Sequence, residues 1–469
     1  MKATLPLILI SLFSLSQFSC QHNKENFDII ITHATIVDVG TGEVIPDQLV
    51  GITADTIQLV TSIKQLDKYS GNTVIGAKGK YIIPGLWDNH VHFRGVDSLI
   101  QENKNLLPLF LAHGITTVRD AGGDITPSLL SWQDDIKEGR LDGPTIFTSG
   151  PKLDGDEPAW AGSIKVTDSI DIVQALDSLE KLGSDYVKMY DGSLSTEMFY
   201  GIIRAAEKRG LKTTGHMPLS ANLLQAVEYG LDGSEHLYYV LKACSPQQDS
   251  LTALGIGYGM MPEILRTYDE QLAQEVFKKL AENEVYITPT LFIGKTLAEV
   301  LEVNHEKDSL LQYIGLGIQE TYLGRVEGAK RAKDSGSTMR EDMKNRSREI
   351  IVPMFEAGVP LLAGSDCGPF NSYVYPGASL HGELQSLVAA GLSPQQALQT
   401  SFQNGAEFFG LGEFYGNIRQ GMVADILILD KNPLKNIEFT QDIVFVIHEG
   451  KVSSAGDLND SLTKLIPVN

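Results

Sequence analysis

Short apolar runs separated by turn residues occur near both ends of the chain. Asp28–Ile31 and Leu49–Ile52 lie near the beginning, and Asp425–Leu429 lies near the end. Runs of this kind, bounded by glycine, proline and polar residues, are typical of β-strands. Because neither end has enough strands to bury a core alone, we expect one small composite β-sandwich formed by residues 27–82 and 412–460.

Between the two ends, strand-like runs alternate with amphipathic helical stretches such as Asp269–Asn283. This alternation indicates a parallel barrel of strands surrounded by helices. The candidate strands are Leu86–His92, Ile115–Arg119, Thr145–Thr148, Tyr186–Met189, Lys212–Gly215, Leu231–Glu235, Val285–Thr288 and Pro360–Ala363. The sequence therefore predicts an α/β fold with a TIM (β/α)8 barrel over residues 83–411. The charged stretch Leu291–Arg348 is helical in pattern and predicts helices over the barrel mouth.

Composition agrees with a barrel plus a second, smaller unit. The chain has 469 residues, of which 42% are hydrophobic, and a barrel of this type takes about 250. Lys and Arg number 38 against 59 Asp and Glu, which gives a net charge of −21. Such a charge argues against a nucleic-acid partner, because the phosphates would be repelled.

The first residues resemble an export signal. Lys2 precedes the apolar run Ala3–Phe18, which is too short to span a membrane comfortably. We expect residues 1–19 to be a signal peptide and Cys20 to be lipidated, which would anchor the protein in the bacterial envelope or periplasm. Because Gln17 and Phe18 depart from the usual lipoprotein site, secretion without a lipid remains the alternative.

Two further cysteines, Cys244 and Cys367, lie far apart in the chain. They could pair in an oxidising compartment, but their spacing fixes no geometry. We expect two buried free thiols.

Two histidines follow a turn at Pro84-Gly85 in the first candidate barrel strand. Side chains on a strand alternate between its faces, so His90 and His92 project to the same side. Two imidazoles aimed at one point can begin a site for a divalent ion, which needs further ligands. The pair alone could equally be ordinary strand residues.

Polar residues at the ends of later strands offer those ligands, since the active site of a TIM barrel lies where its strands end. Lys188 stands in the fourth strand, His216 and His236 follow the fifth and sixth, and Asp366 follows the eighth. Taken singly, each has a structural explanation, such as a surface lysine, a core histidine or a turn aspartate. A lysine in an apolar run is costly as a cation, because burial disfavours its charged form.

The set as a whole resembles a known family. The run Ile83-Pro84-Gly85-Leu86-Trp87-Asp88-Asn89-His90-Val91-His92 closely resembles the first-strand signature of the amidohydrolase superfamily, which comprises metal-dependent hydrolases built on a TIM barrel. The order of the six candidate ligands is similar to that of binuclear members with a carboxylated lysine. Three other segments resemble family signatures: Gly114–Asp120, Pro376–Leu384 and Gly421–Leu434.

The resemblance implies two divalent ions, with zinc the expected metal. His90, His92 and Asp366 would hold one ion and His216 and His236 the other. Lys188 would add carbon dioxide and link the ions as a carbamate (N6-carboxylysine). Two ions about 3.5–4 Å apart can share a hydroxide that attacks a carbonyl. Asp366 would be the catalytic residue that moves the proton to the leaving nitrogen.

The segments around Lys188 and His381 look most like the imidazolonepropionase-related and prolidase-like branch. That likeness implies a hydrolase of amide bonds, with dipeptides or N-acyl amino acids as the leading small-molecule substrates. The same metal chemistry would also hydrolyse a cyclic amide, a lactone or an ester. The alternative that is not an enzyme is a non-catalytic binding protein. The number of subunits is left open.

Three residues are candidates for substrate contacts. Arg119 could pair with a substrate carboxylate, although it could equally be a structural ion-pair partner. Tyr238 could donate to the carbonyl oxygen or simply pack, and His381 is a third candidate.

Overall fold

The computed structural model describes residues 24–466. The predicted signal peptide and Cys20 lie outside the described residues. Within residues 24–466, the helices are all too short or too polar to cross a membrane.

The strands and helices alternate along most of the described chain. The strands are Glu25–Val37 (β1), Val44–Thr53 (β2), Thr56–Ser62 (β3), Tyr69–Gly76 (β4), Tyr81–Pro84 (β5), Leu86–Val91 (β6), Ile115–Asp120 (β7), Thr145–Thr148 (β8), Leu153–Asp154 (β9), Ile164–Lys165 (β10), Val187–Met189 (β11), Thr213–Gly215 (β12), Gly233–Glu235 (β13), Tyr286–Thr288 (β14), Ile426–Leu429 (β15), Ile443–His448 (β16) and Lys451–Ser454 (β17). The α-helices are Ile100–Lys104 (α1), Leu107–Ala112 (α2), Thr126–Lys137 (α3), Ser169–Leu182 (α4), Thr196–Glu207 (α5), Leu223–Glu228 (α6), Tyr238–Ala243 (α7), Gln248–Thr252 (α8), Met261–Arg266 (α9), Glu270–Glu282 (α10), Leu291–Ala298 (α11), Leu316–Thr321 (α12), Leu323–Asp334 (α13), Met339–Glu349 (α14), Ile351–Glu356 (α15), Ala378–Ala389 (α16), Pro394–Leu398 (α17), Asn404–Phe408 (α18) and Ala455–Thr463 (α19). Short 3-10 turns cover Ile63–Lys68, Asp97–Leu99, Gly257–Met260, His305–Lys307, Ser309–Tyr313 and Ile437–Gln441, and Gln399–Gln403 forms a π-helical turn.

Strands from the two chain ends form one sheet. Its order is β17-β16-β15-β5-β1-β2-β3, with β4 paired to β1. The two ends meet where β15 pairs antiparallel with β5, which places Ile428 opposite Ile82. Both side chains are fully buried. Strands from the two chain ends therefore pair in one sheet, as predicted. That this sheet forms a sandwich stays a prediction.

Parallel strands separated by helices form the middle of the chain, in a TIM-barrel-type α/β fold. They are hydrogen-bonded as β6-β7-β8, β10-β9-β11-β12 and β13-β14. The first seven candidate barrel strands are thus confirmed. Every residue of β6 is buried, since helices cover one face of a barrel strand and the packed interior covers the other.

The eighth candidate strand, Pro360–Ala363, is wrong as a regular strand. Only Leu361 makes an isolated bridge, to Ile287 of β14. The amide of Ala363 donates to the carbonyl of Thr400 at 2.8 Å, so it does not form a hydrogen bond with a neighbouring strand. The amide of Ser365 donates to the Asp88 carboxylate at 2.8 Å. The segment still lies beside the first strand, because the Asn89 amide donates to the Ala363 carbonyl at 3.0 Å.

The charged stretch after β14 forms helices α11 to α14, as predicted. Helix α11 packs against both α14 and α16, which ties this insertion to the barrel. Cys244 and Cys367 are buried and unpaired, so the expected free thiols are confirmed among the described residues.

Candidate metal centre

Two histidines and an aspartate meet where β6 ends. Asp366 Oδ1 lies 3.5 Å from His90 Nε2 and 3.1 Å from His92 Nε2. One ligand atom from each residue lies within 4.8 Å of the others. Burial lowers the pKa of His90 to about 3 and that of His92 well below its ordinary value, so both rings are neutral near pH 7. Three such donors suit a divalent ion such as zinc.

A second pair of histidines completes the cluster. His216 directly follows β12 and His236 directly follows β13, and their ring centroids are 4.7 Å apart. His236 Nδ1 lies 2.6 Å from Thr290 Oγ1, while its Nε2 faces Asp366 Oδ2 at 3.8 Å. The His236 ring is also 5.3 Å from that of His90. His236 therefore lies beside both His90 and Asp366, and His216 lies beside His236, with its Nδ1 3.4 Å from Asp191 Oδ1.

Unusual backbone conformations hold two of these side chains. His236 and Asp366 have φ values of 62° and 58°, in the left-handed region that costs a non-glycine residue about 1 kcal/mol or more. The His236 amide donates to the Thr288 carbonyl at 2.8 Å, and the Asp366 amide donates to the His90 carbonyl at 2.7 Å. These bonds hold both residues in sharp turns that aim their side chains at the cluster.

Lys188 lies on β11 with no exposed surface. Its Nζ has no hydrogen-bond partner among the described residues and lies 3.7 Å from Glu235 Oε1. Burial lowers the pKa of Lys188 to about 8, although Glu235 opposes the shift. A buried amine without a partner is costly, and a neutral amine is the form that can add carbon dioxide. The His-His-Asp cluster fits a divalent metal ion, and Lys188 lies buried without a hydrogen-bond partner among the described residues.

The carboxylate of Asp366 is fixed on one side. Asn371 Nδ2 donates to Asp366 Oδ1 at 2.7 Å. Arg325 Nη2 in turn donates to Asn371 Oδ1 at 3.3 Å. This chain of contacts orients Asp366 and leaves its Oδ2 directed at His236.

Sequence reasoning missed a buried acid, Glu235, at the end of β13. Its Oε2 lies 2.6 Å from His90 Nδ1, and its Oε1 accepts hydrogen bonds from Arg119 at 3.0 Å and Thr214 at 2.7 Å. Burial alone would raise the pKa of Glu235, but the charges of Arg119 and Lys188 and the hydrogen bond to His90 hold it well below its ordinary value. An ionised carboxylate accepts the proton of His90 Nδ1, so Nε2 is left free to bind a metal. One feature of the sequence could have identified Glu235: it is an acid inside a predicted barrel strand, directly before the candidate ligand His236.

We expect Glu235→Gln to weaken metal binding about 10–100-fold, the usual effect of losing a residue that orients a metal ligand. The neutral amide no longer compensates the Arg119 charge or fixes the His90 tautomer. Chelator competition measures the affinity, and thermal unfolding checks that the variant is folded. Thr288→Val is the control, because it removes a hydrogen bond to Arg119 of 3.0 Å and leaves the His90 contact intact. Unchanged affinity in Glu235→Gln would refute this role.

Two of the three residues predicted to contact the substrate, Arg119 and His381, are buried and hydrogen-bonded to other parts of the protein. The Arg119 guanidinium is 1% exposed and is occupied by Glu235, Thr288 and the Asn89 carbonyl, so it is a structural ion-pair partner. His381 is also buried, between Thr440 Oγ1 and the His113 carbonyl, each at 2.8 Å. Neither side chain is free to receive a substrate.

The third candidate, Tyr238, lines a cavity of about 570 Å³ together with His216, His236 and Asp366. Cavities that bind small molecules fall in the range of about 300–1,000 Å³. The position of Tyr238 leaves its predicted contact with a substrate open. The cavity gives the cluster direct access to a molecule of dipeptide size.

Comparisons with known proteins agree with this geometry. The family profile described as "Amidohydrolase family" matches residues 81–453. Ochratoxinase of Aspergillus niger is 22% identical over 483 residues, which cover 90% of this chain and 85% of that protein.

Solved structures share the fold over nearly the whole chain. Bottromycin amidohydrolase superposes with a TM-score of 0.71 at 19% identity, covering 93% of this chain and 90% of its own. A Xaa-Pro dipeptidase with bound methionine in the active site has a TM-score of 0.66 at 17% identity, covering 91% of this chain and 99% of its own. These similarities establish the fold around the candidate centre.

Proposed function

Because the chain belongs to the amidohydrolase family, whose profile it matches over residues 81–453, we propose that it is a binuclear metal-dependent hydrolase of dipeptides or N-acyl amino acids. Metal-dependent hydrolysis of carbon–nitrogen bonds is the activity of this family. The observation that carries the proposal is the buried cluster of His90, His92 and Asp366, with His236 facing Asp366 and His216 beside His236 on the wall of the same cavity. A complete ligand set argues against a non-catalytic binding protein.

The ligands divide into two sets around Asp366. His90 and His92 face Asp366 Oδ1, while His236 faces Oδ2 and lies edge-on to the His216 ring. Lys188, as a carbamate, would supply oxygen ligands between the sets. Nitrogen and oxygen donors of these kinds suit zinc. Two bound ions would polarise the scissile carbonyl and lower the pKa of a water nucleophile.

Asp366 is the proposed proton carrier. Its Oδ1 is occupied by the amide of Asn371, so Oδ2 is the atom available to accept a proton from the attacking water. The same oxygen can then donate that proton to the leaving nitrogen, which would otherwise depart as a poor anion. The Tyr238 hydroxyl, on the cavity wall, is the proposed donor to the substrate carbonyl oxygen.

The names of related proteins support an amide substrate. A dipeptidase and an amidohydrolase are among the solved structures that share the fold. In a cavity of about 570 Å³, a dipeptide or an N-acyl amino acid would fit beside the ligand cluster.

The proposal extends to the completed fold. Hydrogen bonds from Asn89 to Ala363 and from Leu362 to Ile287 support closure of the eightfold barrel. In β1, Ile29 and Ile30 enter different apolar clusters, which supports a terminal sheet covered on both faces as a sandwich.

Location follows from the sequence alone. Lys2 and the apolar run Ala3–Phe18 support export, with Cys20 carrying a lipid that anchors the enzyme in the bacterial envelope.

A substrate panel with metal removal tests the function. We expect the purified protein to cleave dipeptides or N-acyl amino acids, to lose that activity on dialysis against a chelator, and to regain it with zinc. The panel also contains a cyclic amide, a lactone and an ester. Cleavage of only the lactone or the ester, or amide hydrolysis that persists without metal, would contradict the proposal.

A further inference from the structure

Two arginines of the helical insertion face the cavity that holds the metal centre. Arg325 lies on α13 and Arg340 on α14, and both line the cavity together with His216 and Asp366. Both side chains are half-buried. The other acidic and basic side chains of the cavity lining are Asp191, Asp366 and Lys344, and Lys344 is paired with Glu299 and Glu341.

Neither guanidinium has a carboxylate partner among the described residues. None of the ion pairs within 4.0 Å in residues 24–466 includes Arg325 or Arg340, although the sequence has 59 acidic residues. Arg325 makes one hydrogen bond, to Asn371 Oδ1 at 3.3 Å, and Arg340 makes one, to the Leu297 carbonyl at 3.1 Å. A guanidinium has five N–H donors, so most of these donors remain available.

The two charges lie close enough to affect each other. Burial lowers the pKa of Arg340, and the positive charge of Arg325 lowers it further. All three of Tyr238, Arg325 and Arg340 line the cavity, and the two positive charges oppose the rise that burial causes in the pKa of Tyr238. Two neighbouring cations in a half-buried cavity repel each other, and an anion bound between them would relieve the repulsion.

A third arginine near the site, Arg94, is not available in this way. Its guanidinium stacks on Trp160 at 3.9 Å and donates to the Pro369 carbonyl at 3.0 Å. It is 4% exposed and lies outside the cavity lining. The anion site is therefore assigned to Arg325 and Arg340.

The position of the arginines indicates which part of a substrate carries the anion. Arg325 is one side chain away from the catalytic acid, through Asn371, which contacts both. In a peptide, the α-carboxylate of the released amino acid is separated from the scissile nitrogen by a single carbon atom. Much of the remaining wall is apolar: Leu237, Leu291, Ile293, Leu297, Met339 and Met343.

We propose that Arg325 and Arg340 bind the free α-carboxylate of the amino acid that hydrolysis releases, which restricts the enzyme to substrates with a free carboxyl terminus and an apolar terminal side chain. This assignment rests on the proposed amide hydrolysis and deepens it. Guanidinium groups suit the task because they bind carboxylates through paired N–H donors.

The test compares the rates at which the enzyme hydrolyses Ala-Leu and N-acetyl-L-leucine with the rates for their carboxy-terminal amides. The released leucine or leucinamide is separated from the substrate and quantified. We expect the wild type to prefer the free acids. Arg325→Gln and Arg340→Gln should each lower kcat/KM for the free acids about 10–100-fold, mainly through KM, since each removes a charge-assisted hydrogen bond. They should leave kcat/KM for the amides and the metal content nearly unchanged. Arg340→Lys, which keeps the charge, should retain part of the preference.

Arg346→Gln is the matched control, because Arg346 lies on the same helix and is paired with Glu349 at 2.6 Å. It should leave the preference intact. Equal losses on acids and amides in the Arg325 and Arg340 variants, or a wild type that prefers the amides, would overturn the assignment.

If the wild type cleaves neither series, the proposed function fails, and calorimetry tests the anion site separately. L-leucine should then bind the wild type more tightly than L-leucinamide does, and both glutamine variants should lose the difference. Equal binding of the two compounds by the wild type would refute the site.

Discussion

Replacing Lys188 with alanine is expected to lower kcat/KM for amide hydrolysis about 10²–10³-fold, the scale of losing one strong stabilising group in a buried active site. Lys188 Nζ is fully buried and has no hydrogen-bond partner among the described residues. Its loss removes the group that is proposed to link the two metal ions. The variant should still fold, because the Glu235 carboxylate near Lys188 keeps its hydrogen bonds from Arg119 and Thr214. Steady-state kinetics and thermal unfolding on the same sample measure both effects.

Lys242→Ala is the matched control for this substitution. Lys242 is also a buried lysine, 3% exposed, but its ammonium donates to the Ala221 carbonyl at 2.8 Å and to the Leu219 carbonyl. Its loss should reduce stability and leave kcat/KM largely intact. Full activity in Lys188→Ala would show that Lys188 is an ordinary core lysine.

Asp366→Asn should reduce kcat about 10²–10⁴-fold, the usual contribution of general acid–base catalysis, with a smaller effect on metal content. An amide oxygen can still approach the ion, and Asn371 can still donate to it. The amide can neither accept the proton of the attacking water nor pass it to the leaving nitrogen. Kinetics and metal analysis of the same preparation separate the two effects.

Asp425→Asn controls for the loss of a buried carboxylate. Asp425 is 6% exposed, as is Asp366, but lies directly before β15, with its Oδ1 2.8 Å from His448 Nδ1. Its replacement should leave kcat unchanged. A parallel loss of metal and turnover in Asp366→Asn would make Asp366 mainly a ligand, and unchanged turnover would exclude it as the proton carrier.

The candidate ligands could be recognised from sequence because strand geometry places them. His90 and His92 are two residues apart on a strand, so one face must carry both. Lys188, His216 and His236 stand in or directly after parallel strands, whose ends meet at one edge. The prediction of a regular eighth strand at Pro360–Ala363 was wrong because an apolar run shows which residues are buried. It does not show which group accepts the hydrogen bond of each backbone amide.

The contacts that support the site could not be predicted in this way. Glu235, Arg119 and His90 belong to three strands, and their meeting depends on how the barrel brings those strands together. Arg119 therefore looked equally suited to a substrate or to an ion pair. Arg325 and Arg340 lie in a charged helical insertion, where arginines normally face solvent. Only their place in the cavity, without carboxylate partners among residues 24–466, distinguishes them.

The most direct test of the central claim is the metal content of the purified protein, measured by inductively coupled plasma mass spectrometry without added metal. The bridged centre predicts about two divalent ions per chain in the wild type and a clear fall in Lys188→Ala. One ion or none in the wild type, unchanged by the substitution, would contradict a binuclear centre linked by Lys188.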